Sequence, residues 1–208
     1  MPDLTRDAER SRASKIALRD RLLTSRRALT PDELTSAAAS VQGHILSLVR
    51  RERPTIIAAY VPVGREPGGA DLVMSLSAHA RVLLPVLLPD GDLDWAVFAP
   101  PLVTGPRGLR EPGGPRLGVT AVSSADLVIV PALAVDRRGL RMGRGGGSYD
   151  RALSRLPGPG EPLVVALLHD GELVEVVPAE PHDRPVGAAI TPGGGLTVFA
   201  DRPAAPTQ

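Results

Sequence analysis

Apolar positions in the N-terminal part of the chain recur at helical spacing. Between Glu9 and Ala28, Ile16, Leu18, Leu22, Leu23 and then Leu29 alternate with basic residues, which predicts an amphipathic helix. Thr30-Pro31-Asp32-Glu33 joins an N-cap, a proline at the first helical position and a capping-box glutamate, opening a second helix toward Arg51. The short connection between them predicts an antiparallel helical pair. From Thr55 the period changes. Thr55 to Val61 is a β-branched apolar run closed by proline and glycine, and reads as a buried strand. Ala70 to Ala80 is helix-like, Val82 to Leu84 strand-like, and Leu93 to Phe98 is a strand after the turn signal Pro89-Asp90-Gly91-Asp92. Leu127 to Val130 is the clearest buried strand, with Leu163 to Leu168 as its expected neighbour across a glycine-rich motif and a helix. Leu173 to Val176, Ala188 to Thr191 and Leu196 to Phe199 are expected to complete the sheet, whereas Pro100 to Gly118 lacks a period and predicts a long surface loop. Strand, crossover, strand defines the fold class: α/β, a central, mostly parallel sheet covered by helices on both faces, preceded by a helical pair. Residues 1–201 are expected to form one domain, and the tail from Arg202 to Gln208 to fray.

Composition narrows the chemistry. Of 208 residues 43% are hydrophobic but only 2% aromatic, so the core is aliphatic and Tyr60, Trp95, Phe98, Tyr149 and Phe199 each become informative. Without cysteine there is no disulfide, no thiolate metal site and no cysteine nucleophile. A net charge of +1 argues against bulk capture of nucleic acid, so anion recognition has to be local. The N-terminus alternates charges and has no apolar signal core, and no stretch reaches membrane-spanning length. The expectation is a cytoplasmic protein, monomer or weak homodimer, that handles a small molecule and neither nucleic acid nor membrane.

Local anion recognition has an address. Arg141-Met142-Gly143-Arg144-Gly145-Gly146-Gly147-Ser148-Tyr149-Asp150-Arg151 packs glycines, arginines and one carboxylate ahead of a helical segment. Glycine lets backbone amides approach an anion closely, and arginine supplies planar donor forks. The lone acid suggests a bridging cation such as Mg²⁺. A Walker loop is excluded, because the motif has no lysine. A dinucleotide fingerprint fits poorly, because Pro131 to Met142 separate the strand from the glycines. A plain flexible turn stays possible on spacing alone, although ordering that many glycines carries an entropic cost.

The motif, together with Pro131-Ala132-Leu133-Ala134-Val135-Asp136 and Gly139, resembles the signature of the 5-formyltetrahydrofolate cyclo-ligases. Lys15-Ile16-Ala17-Leu18-Arg19, the segment Tyr60 to Pro67, Glu111-Pro112 and His182-Asp183 resemble further elements of that family in the same order. The resemblance implies ATP-dependent closure of 5-formyltetrahydrofolate to 5,10-methenyltetrahydrofolate, with ADP and phosphate released. It assigns Lys15 and Arg19 to the ATP phosphates, and wraps Arg141, Gly143, Arg144, Gly145, Gly146, Gly147, Ser148 and Tyr149 around the nucleotide. Arg144 and Tyr149 become the catalytic pair, and Asp150 and Asp183 the Mg²⁺ ligands. Tyr60, Glu66, Trp95 and Ser148 become the wall for the reduced folate, with Glu66 accepting from the pterin. On the residues alone, Lys15 and Arg19 read equally as a solvated basic face, Glu66 as an exposed loop acid, and Trp95 as core. His169 and His182 have no partner at telling spacing and read as structural or peripheral. Ser148 stands where the family usually has a tyrosine, which predicts weaker substrate affinity with activity retained. The other readings are a noncatalytic nucleotide- or folate-binding paralogue and a sugar-phosphate isomerase-like enzyme.

Overall fold

Two long helices come first. In a computed structural model, which describes residues 4–158, 162–180 and 183–199, they are α1 (Leu4–Ala28) and α2 (Pro31–Glu52). His182 and the tail from Arg202 to Gln208 lie outside the described residues. The capping box closes as the sequence predicts: Thr30 Oγ1 accepts from the Glu33 amide at 3.3 Å, and Glu33 Oε2 accepts from the Thr30 amide at 2.7 Å. At the other end Arg53 adopts the left-handed conformation and its amide donates to Val49 O at 2.8 Å.

The strands are β1 (Ile56–Ala58), β2 (Arg81–Leu87), β3 (Leu93–Val97), β4 (Val103–Thr104), β5 (Arg110–Glu111), β6 (Leu127–Pro131), β7 (Ala134–Asp136), β8 (Arg141–Met142), β9 (Leu163–Leu167), β10 (Leu173–Val174), β11 (Ala188–Thr191) and β12 (Gly195–Val198). Two short helices, α3 (Leu72–Ser77) and α4 (Ser148–Leu153), sit among them. The central sheet runs β12-β11-β9-β6-β1-β2-β3; β2, β1, β6, β9 and β11 are parallel, and the edge strands β3 and β12 are antiparallel.

Strict alternation splits the core into two layers. Ile57, Leu84, Leu127, Ile129, Val165, Leu167 and Ile190 face α2 and α3, meeting Val41, Ile45, Leu48, Leu72 and Leu76. Ala58, Leu83, Val128, Val130, Val164, Ala166 and Ala189 face α4 and the turn at Val119–Ser124, meeting Val122, Ala152 and Leu153. Burial of both faces explains why these strands read as unbroken apolar runs.

Three expectations need correction. The two N-terminal helices exist, but among the described residues they pack on different sheets and not along each other. α2 covers the central sheet, while α1 lays Leu22 on Leu133, Ala134, Met142 and Val177, over a separate sheet of order β10-β7-β8. A short link fixes proximity; apolar surface decides what each helix covers. Leu173–Val174 accordingly pairs with β7 and not with the central sheet. The segment from Pro100 to Gly118 is not a bare loop. It folds as the β4-β5 hairpin, pinned by the buried Glu111 carboxylate, which accepts from the Leu87 amide at 2.9 Å.

Candidate active site

Sheet order reverses at β1, with β2 on one side and β6 on the other, and the carboxyl ends of β1 and β6 open into a cleft of about 870 Å³. Open α/β sheets bind ligands at such a switch point. Tyr60, Val61 and Val63 line it beyond β1, Pro131, Ala132 and Leu133 beyond β6, and Pro85, Leu87, Leu93 and Leu109 on the β2-β3 side. α1 forms the opposite lip through Arg12, Lys15, Ile16 and Arg19.

The glycine motif crosses this cleft from β8 to α4, and its glycines make room for guanidinium groups. A Cβ on Gly143 would come within 2.9 Å of Arg141 Nη1, and one on Gly147 within 3.2 Å of Arg151 Nη1; Gly147 also sits at φ 66°, where L side chains are strained. Arg19 reaches over from α1, its Nε donating to Gly143 O at 3.3 Å. Arg141 is almost sealed. Its Nη2 donates to Asp150 Oδ1 at 2.8 Å, its plane lies 5.9 Å from the Tyr149 ring centroid, and its Nε is buried with no partner. An unsatisfied buried guanidinium donor is costly, and an anion seated in the loop is the ligand type that would relieve it.

The cleft's cations are Arg12, Lys15, Arg19, Arg26, Arg107, Arg110, Arg141 and Arg144, against the carboxylates Glu66, Asp150, Glu180 and Asp183. Those carboxylates already have cationic partners. Lys15 Nζ donates to Asp183 Oδ2 at 2.7 Å and to Glu180 Oε2 at 2.8 Å. Burial opposes the Lys15 ammonium, but the bonds to Asp183 and Glu180 outweigh it and hold its pKa above the ordinary lysine value. Glu66 accepts from the Val63 amide at 2.9 Å and pairs across the cleft with Arg144 at 3.3 Å. Desolvation, with Glu66 nearby, raises Tyr149 far above the usual phenol value, so its hydroxyl is protonated at any working pH.

The predicted residues therefore converge, with one exception. Lys15, Arg19, Tyr60, Glu66, Arg141, Gly143, Arg144, Gly145, Gly146, Gly147, Ser148, Tyr149, Asp150 and Asp183 all line the cleft. Trp95 does not. It is 1% exposed in the core layer beneath α4, and only its strand partner Pro85 and its neighbour Leu93 reach the cleft wall. A bulky apolar side chain at a fully covered strand position is core first, so Trp95 is corrected from substrate wall to structural support. Tyr60 is nearly sealed too, with its hydroxyl donating to Pro67 O at 2.8 Å, and it shapes the loop that carries Glu66.

Asp150 and Asp183 come together: Asp150 Oδ1 also accepts from the Arg184 amide at 3.3 Å, one residue beyond Asp183. No cluster of three or more His, Cys, Asp or Glu suited to hold a metal occurs among the described residues. Asp150 and Asp183 alone do not make an all-protein cation cage.

Several residues escaped sequence reasoning. Glu180 completes the Lys15 cluster. Arg26 donates to Glu172 at 2.6 and 2.8 Å and to Ala132 O at 2.6 Å, all buried, which fixes α1 to the floor of the cleft. Its recurrence on the face of Lys15 and Arg19 was the available signal. Ser148 Oγ and Arg151 Nη2 both donate to Gly91 O, at 2.5 and 2.6 Å, tying the glycine loop to the β2-β3 turn; no local pattern marks that contact. His169 is buried, with its ring bonded to Arg65 O.

A two-faced α/β sheet whose switch point is roofed by a guanidinium-lined glycine loop defines a protein built to hold a small anionic ligand beside an apolar chamber. Within that class, the chain belongs to the 5-formyltetrahydrofolate cyclo-ligase family, whose model matches residues 11–192. It is 40% identical over 193 residues to the 5-formyltetrahydrofolate cyclo-ligase of Mycolicibacterium smegmatis, covering 89% of this chain and 97% of that one. It is 32% identical over 172 residues to the Escherichia coli cyclo-ligase, covering 80% of this chain and 94% of that one. Among solved structures, the 5,10-methenyltetrahydrofolate synthetase of Aquifex aeolicus superposes with a TM-score of 0.77 at 26% identity, over 91% of this chain and 95% of that chain.

Proposed function

We propose that the protein converts 5-formyltetrahydrofolate to 5,10-methenyltetrahydrofolate with ATP as the second substrate, releasing ADP and phosphate. Family membership supports the reaction, and the cleft supports the division of labour. The observation that carries it is the pairing of a guanidinium-lined loop with an apolar chamber, bridged by Arg144 and Glu66.

The chemistry asks little covalent work of the protein. The formyl oxygen attacks the γ-phosphorus of ATP and ADP departs, which turns a poor amide leaving group into a phosphate ester. N10 then attacks the formyl carbon and loses its proton, and phosphate leaves. Phosphoryl transfer depends mainly on alignment and charge stabilisation. In this reading Lys15, Arg19 and Arg141 hold the triphosphate, and Gly143, Gly145, Gly146 and Gly147 bring amides close to it. Arg144 stabilises the transferring group, and the protonated Tyr149 donates at the same end. Glu66 accepts from the heterocycle's amino and amide groups, with Tyr60 and Ser148 at its wall. Asp150 and Asp183 are the carboxylates that would meet Mg²⁺ brought in with the nucleotide, directly or through water, where it would neutralise phosphate charge.

The test is an absorbance assay for the methenyl product with 5-formyltetrahydrofolate, ATP and Mg²⁺. Product only when all three are present is the expected result. Binding of either substrate without product would favour a noncatalytic paralogue instead.

A further inference from the structure

Just beyond β9 lies a buried imidazole that the reaction above does not use. His169 is 6% exposed, and its Nε2 stands 2.9 Å from Arg65 O. A carbonyl only accepts, so Nε2 carries the proton and donates. The imidazole is itself well seated: the His169 amide donates to Glu172 Oε2 at 2.7 Å, and Glu172 is held in turn by Arg26.

The acceptor belongs to the peptide unit that leads into Glu66. Its carbonyl takes the His169 bond, and its N–H, which is the Glu66 amide, donates to Val63 O at 3.2 Å. A peptide unit is planar, so a grip at both ends leaves the Glu66 Cα little freedom to turn. The side chain inherits that direction. Glu66 Oε2 accepts from the Val63 amide at 2.9 Å, which leaves Oε1 toward Arg144 across the cleft at 3.3 Å. The next two carbonyls are held as well, Pro67 O by the Tyr60 hydroxyl and Gly68 O by Gln42 Nε2 on α2, both at 2.8 Å. Gly69 then lets the chain lie against α2, where a Cβ would come within 2.8 Å of the Ala38 Cβ. Arg65 sends its guanidinium to Arg26 O at 3.3 Å and to Leu29 O, at the end of α1. Of residues 65–68, Glu66 alone lines the cleft. Side chains from three parts of the chain therefore converge on the backbone around one carboxylate.

We infer that His169 is a positioning residue for Glu66, acting through the Arg65–Glu66 peptide unit, with Gln42 as a second hold through the Gly68 carbonyl. The inference rests on the folate reading above, in which Glu66 receives the heterocycle, and it adds the groups that aim that carboxylate. Loss of one such hydrogen bond is worth about fivefold in affinity. Because Glu66 binds the heterocycle away from the transferring phosphoryl group, the loss falls on KM for folate and leaves kcat in place.

The experiment measures kcat and both KM values, each with the other substrate saturating, for the wild type, His169→Phe, His169→Gln and Gln42→Leu. Phenylalanine fills the space without a donor, and glutamine offers an amide near the place of Nε2. His169→Phe is expected to raise KM for 5-formyltetrahydrofolate about fivefold, with kcat and KM for ATP unmoved, while His169→Gln stays near the wild type. Gln42→Leu is expected to shift the same parameter in the same direction, and it carries the test if His169→Phe does not fold. In a Glu66→Gln background, where the carboxylate is gone, His169→Phe is expected to add nothing to KM for folate. A full fivefold rise in that background overturns the inference, because the effect then does not pass through Glu66. An unchanged KM for folate, an equal rise in KM for ATP, or the same loss in His169→Gln overturns it too. If the wild type makes no methenyl product, the functional reading fails. Calorimetry with 5-formyltetrahydrofolate alone then decides the inference: affinity that His169→Phe lowers and His169→Gln retains upholds it, and equal or absent binding overturns it.

Discussion

At the scale of single residues, charge compensation organises the cleft. Asp92 shows it away from the chemistry. Burial works against its carboxylate, but the bonds from Arg155 and the Leu93 amide, with Arg151 nearby, outweigh burial and hold its pKa below the ordinary aspartate value. A depressed folded pKa contributes stability that is complete above the unfolded value and is lost as pH falls through the folded one. Wild-type stability is therefore expected to fall below about pH 4 more steeply than that of Asp92→Asn, a difference that urea melts along a pH series would reveal. Parallel slopes would remove Asp92 from the account. Gly147→Ala tests the loop itself. At φ 66°, with Arg151 Nη1 3.2 Å from the added carbon, the variant is expected to lose about 1–2 kcal/mol and to displace Ser148 and Arg151 from Gly91. Denaturant titration reads the first effect and a raised KM for nucleotide the second. The Ser148 bond to Gly91 O also gives that residue a use of its own, as a latch from the loop to the neighbouring turn.

At the scale of elements, α1 is held by polar anchors as well as by apolar packing. Arg26 and Glu172 are each 4% exposed, and Glu172 also accepts from the His169 amide at 2.7 Å. Removing one partner of a buried pair strands the other, so Arg26→Met is expected to cost about 3–5 kcal/mol, and Arg26→Met/Glu172→Gln markedly less. Thermal or chemical unfolding of the two variants checks this; equal losses would mean that apolar contacts of α1 dominate. This is also where sequence legibility divides. The capping box at Thr30 and Glu33, the apolar runs of β6 and β9 and the motif before α4 are local patterns, and each formed where it was expected. Small strands such as β7 and β8 are too short to show a period, the strand at Leu173 was expected but its partner β7 was not, and Arg26 finds Glu172 across 146 positions of chain, which no window spans. Trp95 reads as core on its residues and as substrate wall only through the resemblance, and the sheet sets it in the core.

For the whole molecule, the order of strands explains why so much of the site could be read ahead of the coordinates. Residues of segments 15–19, 60–67 and 131–151, and Asp183, are far apart in the chain, yet all of these segments contribute to the cleft at the switch point of the sheet. Finding them in sequence meant finding one place in space. Their charge relations were not legible, because partners such as Glu180 for Lys15 and Arg144 for Glu66 depend on the closing of the sheet.

The Arg144–Glu66 bridge has a thermodynamic consequence for the assembled protein. In the proposed reading Arg144 serves the nucleotide and Glu66 the folate, and in the structure the two are paired with each other. Whichever guest arrives first has to divorce the couple, and the second meets a host already released. Microcalorimetry with a non-hydrolysable nucleotide and the reduced folate is expected to find each tightening the other by the same factor, as linkage requires. Replacing Glu66 with glutamine should abolish that mutual aid, and independent binding in the unaltered protein would mean that the two hosts part at no cost.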